Sequence, residues 1–139
     1  MSNHTIFIID DDAGTRDSLC LLLGLHGYCT RIFSRAVDFL EAVTVETTGC
    51  ALLDVRMADM GGLELQMTLT RRSIRLPVIV MTGFANIATA RTAFKAGAVD
   101  FLPKPISTTE LLESIGKALA EYRCGISPSD DGTTNCMER

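Results

Sequence analysis

The sequence is short of the features that assign a function quickly. It has no excess of basic residues: 13 Lys and Arg stand against 17 Asp and Glu, for a formal net charge of −4. Nucleic-acid surfaces are basic, so this balance argues against such a surface on this piece. No apolar stretch reaches the length of a membrane span. The polar start Met1-Ser2-Asn3-His4 does not read as a signal peptide. The five cysteines, at positions 20, 29, 50, 124 and 136, show neither metal spacing nor a disulfide framework. An odd count spread through apolar segments reads as reduced thiols and a cytoplasmic location. The two histidines, His4 and His26, lie apart from each other and from any motif and read as structural.

What is present is a rhythm. The 139 residues suffice for one domain with a real core. Thr5-Ile6-Phe7-Ile8-Ile9 is a β-branched apolar run, which predicts a first strand buried on both faces. Asp10-Asp11-Asp12 stop it, and Asp12 is placed to cap a helix over about 14–26. Leu19, Leu22, Leu23 and His26 have the spacing of its inner face, with Gly27 as its stop. Leu21 and Leu25 make a second stripe, for packing on a neighbouring helix, as isolated exposed leucines of the common kind, or for a homodimer contact.

The run 28–33 is less apolar and reads as a strand nearer an edge. Ser34 is expected to cap a helix at about 35–44, with Ala36, Val37 and Leu40 inward. The strand 50–53 ends at Asp54, and Gly61-Gly62 precede a helix at about 63–71 with Leu63, Leu65, Met67 and Leu69 as its apolar surface. A fourth strand covers 77–81, with Pro77 at the permitted first position. An alanine-rich helix at about 86–96 and a fifth strand at 99–102 follow. Ser107-Thr108-Thr109-Glu110 is a capping box that opens a last helix over about 107–123. Residues 1–124 thus read as one domain, and 125–139, with Gly, Pro and small polar residues, as a linker or disordered tail.

Five strands alternating with five helices predict a parallel sheet covered on both faces. Right-handed crossovers put every strand's C-terminal end at one rim. Asp10 and Asp11 follow strand one, Asp54 strand three, Thr82 strand four and Lys104 strand five. Three carboxylates at one place repel and need a cation, and all-oxygen ligands suit a hard ion such as Mg²⁺. Thr82 and Lys104 are then free to hold phosphate oxygens, and a carboxylate can itself accept a phosphoryl group. The rim therefore suggests Mg²⁺-dependent phosphorylation of an aspartate.

Four segments carry a family resemblance: Ile-Ile-Asp-Asp-Asp at 8–12, Leu-Leu-Asp-Val-Arg-Met-Ala-Asp-Met-Gly-Gly-Leu-Glu-Leu at 52–65, Val-Ile-Val-Met-Thr-Gly at 78–83, and Ala-Gly-Ala-Val-Asp-Phe-Leu-Pro-Lys-Pro at 96–105. From about Thr5 to Arg123 the chain resembles the receiver domain of bacterial two-component response regulators. Its third and fourth segments look most like the FixJ-like branch of LuxR-type transcriptional regulators. The resemblance implies a flavodoxin-like doubly wound (βα)5 three-layer sandwich with sheet order 2-1-3-4-5. It implies a regulatory domain rather than an enzyme, phosphorylated on Asp54 by a sensor histidine kinase. Asp10, Asp11 and Asp54, with the Arg56 backbone carbonyl, would hold Mg²⁺ or Mn²⁺. Thr82 and Lys104 would contact the phosphoryl group, and the Lys104–Pro105 bond would be cis. Thr82 and Phe101 would be the switch pair, and the 82–102 face would control dimerisation. DNA would be reached only through a helix-turn-helix output domain that this sequence does not contain.

Three departures are visible. Phe101 lacks the hydroxyl often found at its position, Ala58 stands where proline is usual, and Ile106 replaces a frequent phenylalanine. Arg56 and Phe84 occupy positions that the family uses to tune dephosphorylation. A plainer reading accompanies each residue: three aspartates as a solvated cap, Thr82 as a strand-end hydroxyl, Lys104 as a surface charge, Phe101 as core, Asp59 and Asp100 turned to solvent. Two other functions also fit parts of the sequence. One is a stand-alone receiver acting through protein contacts. The other is a haloacid-dehalogenase-type phosphatase that uses Asp10, although the later acidic pair and the cap domain of that class are missing.

Overall fold

A computed structural model describes residues 4–56, 60–83 and 87–125, apart from the side chains of 87 and 121–125. The chain runs β1 (Thr5–Ile9), α1 (Ala13–Leu25), β2 (Cys29–Phe33), α2 (Ala36–Ala42), β3 (Gly49–Asp54), α3 (Gly62–Arg71), β4 (Val78–Thr82), α4 (Ile87–Lys95), β5 (Asp100–Pro103) and α5 (Thr108–Gly125). The strands form one parallel sheet in the order β2-β1-β3-β4-β5. This is the parallel sheet covered on both faces that the alternation predicts, in the flavodoxin-like strand order that the resemblance implies.

The apolar runs exist because both faces of the sheet are covered. Every residue of β3 and β4 is buried. Edge strand β2 is mostly exposed or half-buried and correspondingly less apolar. Alternate side chains point to opposite faces and build two separate cores. Ile6, Ile8, Leu52, Ile79 and Met81 pack with Leu19 and Leu23 of α1 and with Leu111 and Ile115 of α5. Phe7, Ile9, Leu53 and Val80 pack on the other side with Phe39 of α2, Leu65 of α3 and Ala93 of α4. In this second core three rings meet, Phe7 and Phe33 each lying within 5.6 Å of Phe39 between centroids. The Arg31 guanidinium carbon lies 5.4 Å from the Phe33 ring centroid, within cation–π range.

Several local expectations are corrected. His26 is exposed, not on the inner face, because α1 ends at Leu25 and His26 sits at the cap, its Nδ1 3.0 Å from the Leu22 carbonyl oxygen. Ser34 does not cap α2: the helix starts at Ala36, so Arg35 holds the cap position, without a side-chain hydrogen bond. That shift puts Phe39 in the core and leaves Val37 half-buried. Met67 is half exposed, since α3 turns Leu65, Gln66 and Leu69 inward. β4 begins at Val78, after Pro77, and β5 extends through Pro103. Leu21 and Leu25 are 66% and 75% exposed, which removes packing on a neighbouring helix as their role. The capping residue of α1 is Asp12, whose Oδ2 accepts from the Thr15 backbone N–H at 2.8 Å, and Ser107 Oγ accepts from the Glu110 N–H at 3.3 Å. Cys20, Cys29 and Cys50 are free thiols. Among the described residues no helix is long and apolar enough to cross a membrane. The expectations for 126–139, and for Ala58, Asp59 and Phe84, fall outside the described residues.

The ends of α1 and α3 share one geometry. After α1, Gly27 takes φ +89° and Tyr28 N–H reaches back to the Leu23 carbonyl at 3.0 Å. After α3, Ile74 N–H reaches the Leu69 carbonyl at 2.9 Å, but the left-handed residue is Ser73, at φ 61°. A side chain makes that conformation costly. Ser73→Gly is expected to raise unfolding stability by roughly 1 kcal/mol, the relief of strain less the extra backbone freedom of glycine. Urea denaturation measures this, and an unchanged midpoint would contradict the strained turn.

Candidate functional site

Strand register assembles the site. Ile9 pairs with Leu53, so Asp10 and Asp54 leave the sheet side by side. Asp54 pairs with Met81, and Thr82 follows at the end of β4. Thr82 pairs with Pro103, so Lys104 is the next residue along, and its N–H donates to the Thr82 carbonyl at 2.7 Å. The Lys104–Pro105 bond is cis, as expected.

Lys104 Nζ lies 2.8 Å from Asp10 Oδ2 and 3.4 Å from Asp54 Oδ1. Asp10 is fully buried, Asp54 is 6% exposed and Thr82 is 2% exposed, whereas Asp11 faces solvent. The other Asp10 oxygen accepts from the Asp12 N–H at 2.9 Å. Arg16 Nη1 donates to the Asp10 main-chain carbonyl at 2.8 Å and so braces that turn. Asp12 itself is held by Thr15, whose hydroxyl and N–H both donate to it and draw its pKa below the ordinary carboxylate value.

The charges do not balance. Burial, and then the neighbouring charge of Asp10, push the Asp54 pKa up, while Lys104 and the Arg56 backbone N–H hold it down in part. Burial works against the Lys104 ammonium, but its hydrogen bond to Asp10 and the two carboxylate charges prevail and raise its pKa. One ammonium thus serves two buried carboxylates, with Asp11 as a third whose ligand atom lies within 4.8 Å of theirs. A hard divalent cation fits this donor set: the ligands are all oxygen, closely spaced and short of positive charge.

The glycine pair after β3 shapes the site from behind. A Cβ on Gly62 would lie 2.4 Å from the Asp54 main-chain oxygen, and the Gly62 N–H donates to the Val55 carbonyl at 3.0 Å. The loop after Asp54 therefore folds back onto the strand it left, and only glycine fits there.

Phe101 is half-buried and packs against the core on the α2–α4 side. Asp100 does not turn to solvent as expected. It is half-buried, it accepts from the Ser114 hydroxyl of α5, and its other oxygen accepts from the Phe101 N–H at 2.9 Å. The sequence does not reveal the bracing role of Arg16, and it shows Gly62 only as one of a glycine pair before a helix, without its contact to the Asp54 backbone. An arginine in the first turn after an acidic run, and a second glycine after the strand-end aspartate, are the only signals that point to them.

A family model described as the response regulator receiver domain matches residues 6–116. Over 119 residues the chain is 42% identical to the transcriptional regulatory protein TdiR of Thauera aromatica, covering 86% of this chain and 52% of TdiR. It is 37% identical over 131 residues to the transcriptional regulatory protein FixJ of Rhizobium meliloti strain 1021, covering 94% of this chain and 64% of FixJ. The chain therefore spans between half and two thirds of the length of these relatives. Among solved structures it is similar to a CheY-like response regulator receiver domain protein from Methanospirillum hungatei JF-1, with 31% identity, a TM-score of 0.81, and coverage of 89% of this chain and 99% of that one.

Proposed function

The chain belongs to the response regulator receiver domain family, and from that premise we propose that it is a phosphorylation-controlled switch whose phosphoacceptor is Asp54. One observation carries the assignment of the acceptor: Lys104 bridges two rim carboxylates that differ in readiness. Asp10 is fully buried and its two oxygens already accept from Lys104 and the Asp12 N–H, whereas Asp54 keeps some exposure and a longer contact to Lys104. An Asp54 oxygen attacks the phosphorus of a phosphohistidine on a sensor histidine kinase. The P–N bond breaks, its electron pair leaves with the imidazole, and an acyl phosphate forms. Lys104, released from sharing two carboxylates, pairs with a phosphoryl oxygen, and the Thr82 hydroxyl donates to another. Asp10, Asp11 and Asp54, with the Arg56 carbonyl, would hold Mg²⁺ or Mn²⁺, which would supply positive charge to offset that of the phosphoryl oxygens.

The domain assists its own phosphorylation and dephosphorylation and has no separate substrate. Its readout runs through Thr82 and Phe101 to the 82–102 face, which controls dimerisation. The receiver is the unit read as 1–124, with α5 carrying it through Gly125, and the rest of the 125–139 segment is a linker or tail. Output is by a helix-turn-helix domain outside this sequence, the only route to DNA, and the protein works in the cytoplasm. The printed descriptions of TdiR and FixJ as transcriptional regulatory proteins, each longer than this chain, support that reading.

The test is to incubate the protein with acetyl phosphate and Mg²⁺, trap the acyl phosphate with borohydride and map the modified residue. Modification at Asp54 is expected. Modification at Asp10, or none at Asp54, would overturn the assignment. Gly62→Ala probes the same chemistry from the backbone. The added methyl displaces the Asp54 carbonyl, so uptake is expected to slow at least about tenfold, the scale of a misplaced reacting group. Retained far-ultraviolet circular dichroism would separate this from unfolding, and an unchanged rate would show that the loop shifts without moving Asp54.

A further inference from the structure

Asp10 is bound at every polar group it has. Its N–H donates to the Phe33 carbonyl at 3.1 Å, its Oδ1 accepts from the Asp12 N–H at 2.9 Å and its Oδ2 from Lys104 at 2.8 Å. Its main-chain carbonyl accepts from Arg16 Nη1, which reaches back from the first turns of α1. Asp11 has the opposite character. It is exposed, and among the described residues no hydrogen bond holds its carboxylate, yet its ligand atom lies within 4.8 Å of those of Asp10 and Asp54. Something other than its own contacts therefore aims it. The Asp10 carbonyl and the Asp11 N–H belong to one planar peptide unit, so the group that holds that oxygen also sets the backbone direction of Asp11. That group is the half-buried Arg16. Charge does not explain an arginine at this place: a guanidinium beside three carboxylates weakens their pull on a cation. Its hydrogen bond is what the site can use.

We infer that Arg16 is a positioning residue for the cation site: by holding the Asp10–Asp11 peptide plane, it keeps the exposed Asp11 carboxylate turned toward Asp10 and Asp54, where a hard divalent cation gains a third carboxylate. Arg16 acts through Asp11 and takes no part in the phosphoryl transfer. The inference rests on the reading of the three aspartates as a cation site, and it holds whichever of them takes the phosphoryl group. The two effects of the arginine oppose each other, so the sign of the change on its removal separates them. Loss of the charge strengthens cation binding, and loss of the grip on the peptide weakens it.

Mn²⁺ binding to the full chain, with no phosphodonor present, is followed by water-proton relaxation. Arg16→Met is expected to bind Mn²⁺ about tenfold more weakly than the native protein, the low end of the loss when a group that orients a metal ligand is removed. Unchanged or tighter binding would overturn the inference alone and leave the cation site standing. The same substitution in an Asp11→Ala background tests the route. With no Asp11 carboxylate to aim, it is expected to change the Mn²⁺ affinity by less than about twofold. The full loss in that background would mean that the rim has loosened generally, and would also overturn the inference. Far-ultraviolet circular dichroism checks that each variant is folded. If Arg16→Met is not, Arg16→Gln, neutral and shorter, takes its place with the same expected direction. A native protein with no saturable Mn²⁺ binding would sink the cation site and this inference together.

Discussion

Asp54→Asn is expected to abolish phosphoryl uptake from acetyl phosphate while leaving the protein at least as stable as before. The first half follows from chemistry, since a carboxamide oxygen cannot form the acyl phosphate, and from geometry, since Asp10 is sealed and doubly hydrogen-bonded. Intact mass after incubation reads it directly, and residual uptake by the variant would mean a second acceptor. The second half follows from linkage. The Asp54 pKa is raised in the folded protein by burial and by Asp10, so the folded state binds more protons than the unfolded state between the ordinary carboxylate pKa and the raised one. Stability therefore falls as pH rises through that window, and above it the ionised Asp54 is a net burden. Asparagine removes the burden at constant shape. Thermal midpoints at neutral and acid pH should converge in the variant and differ in the native protein.

Lys104→Met is expected to have the opposite effect on stability. It strips the ammonium from two carboxylates, of which Asp10 has no exposed surface. Removing one partner of a fully buried pair costs about 3–5 kcal/mol. Because the Lys104 side chain is 24% exposed, a loss of roughly 2 kcal/mol is expected. The raised Lys104 pKa fixes the sign of the pH dependence: its contribution is complete below the ordinary lysine pKa and disappears as pH rises through the folded one. The double variant with Asp54→Asn should recover part of the loss, because one of the stranded charges is then gone. Added Mg²⁺ should also stabilise Lys104→Met more than the native protein, since the ion meets a larger excess of negative charge. Urea titrations of the four proteins measure each effect. A double variant whose stability change equals the sum of the two single changes would show that Lys104 and Asp54 are not coupled in the way their 3.4 Å contact implies.

The strands and the rim were legible in the sequence because both are written in residue type along a single stretch. A run such as Val78–Met81 can only be a strand buried on both faces, and a polar residue directly after it must reach the rim. Lys104 and Asp54 are 50 positions apart, yet topology alone brings them together. What could not be read depended on one-residue phase or on contacts across the fold. The start of α2 at Ala36 decides between Phe39 and Val37 as the core residue, and nothing local distinguishes Ser34 from Arg35 as the residue at the cap. Asp100 looked solvated because its partner, Ser114, lies a helix away. Gly62 reads as a helix-start glycine, and its real constraint is the return of the loop onto the Asp54 backbone. Gln66 is illegible for the same reason: within α3 it is an ordinary helical residue, and only its hydrogen bond to the Ala93 carbonyl of α4 gives it meaning.

The partition of the interior by the sheet has a practical side. The described phenylalanines that are buried or half-buried, Phe7, Phe33, Phe39 and Phe101, all belong to the core on the α2–α4 side, and the core under α1 and α5 holds none. Uniform incorporation of a fluorinated phenylalanine would therefore act as a one-sided spectroscopic reporter. Its fluorine resonances would follow the layer that contains Phe101 and be almost blind to the opposite layer. A methyl label on Ile6, Ile8, Ile79 and Ile115 would report the opposite layer in turn. Two isotopes could then time the two halves of one small domain separately as a phosphoryl group arrives.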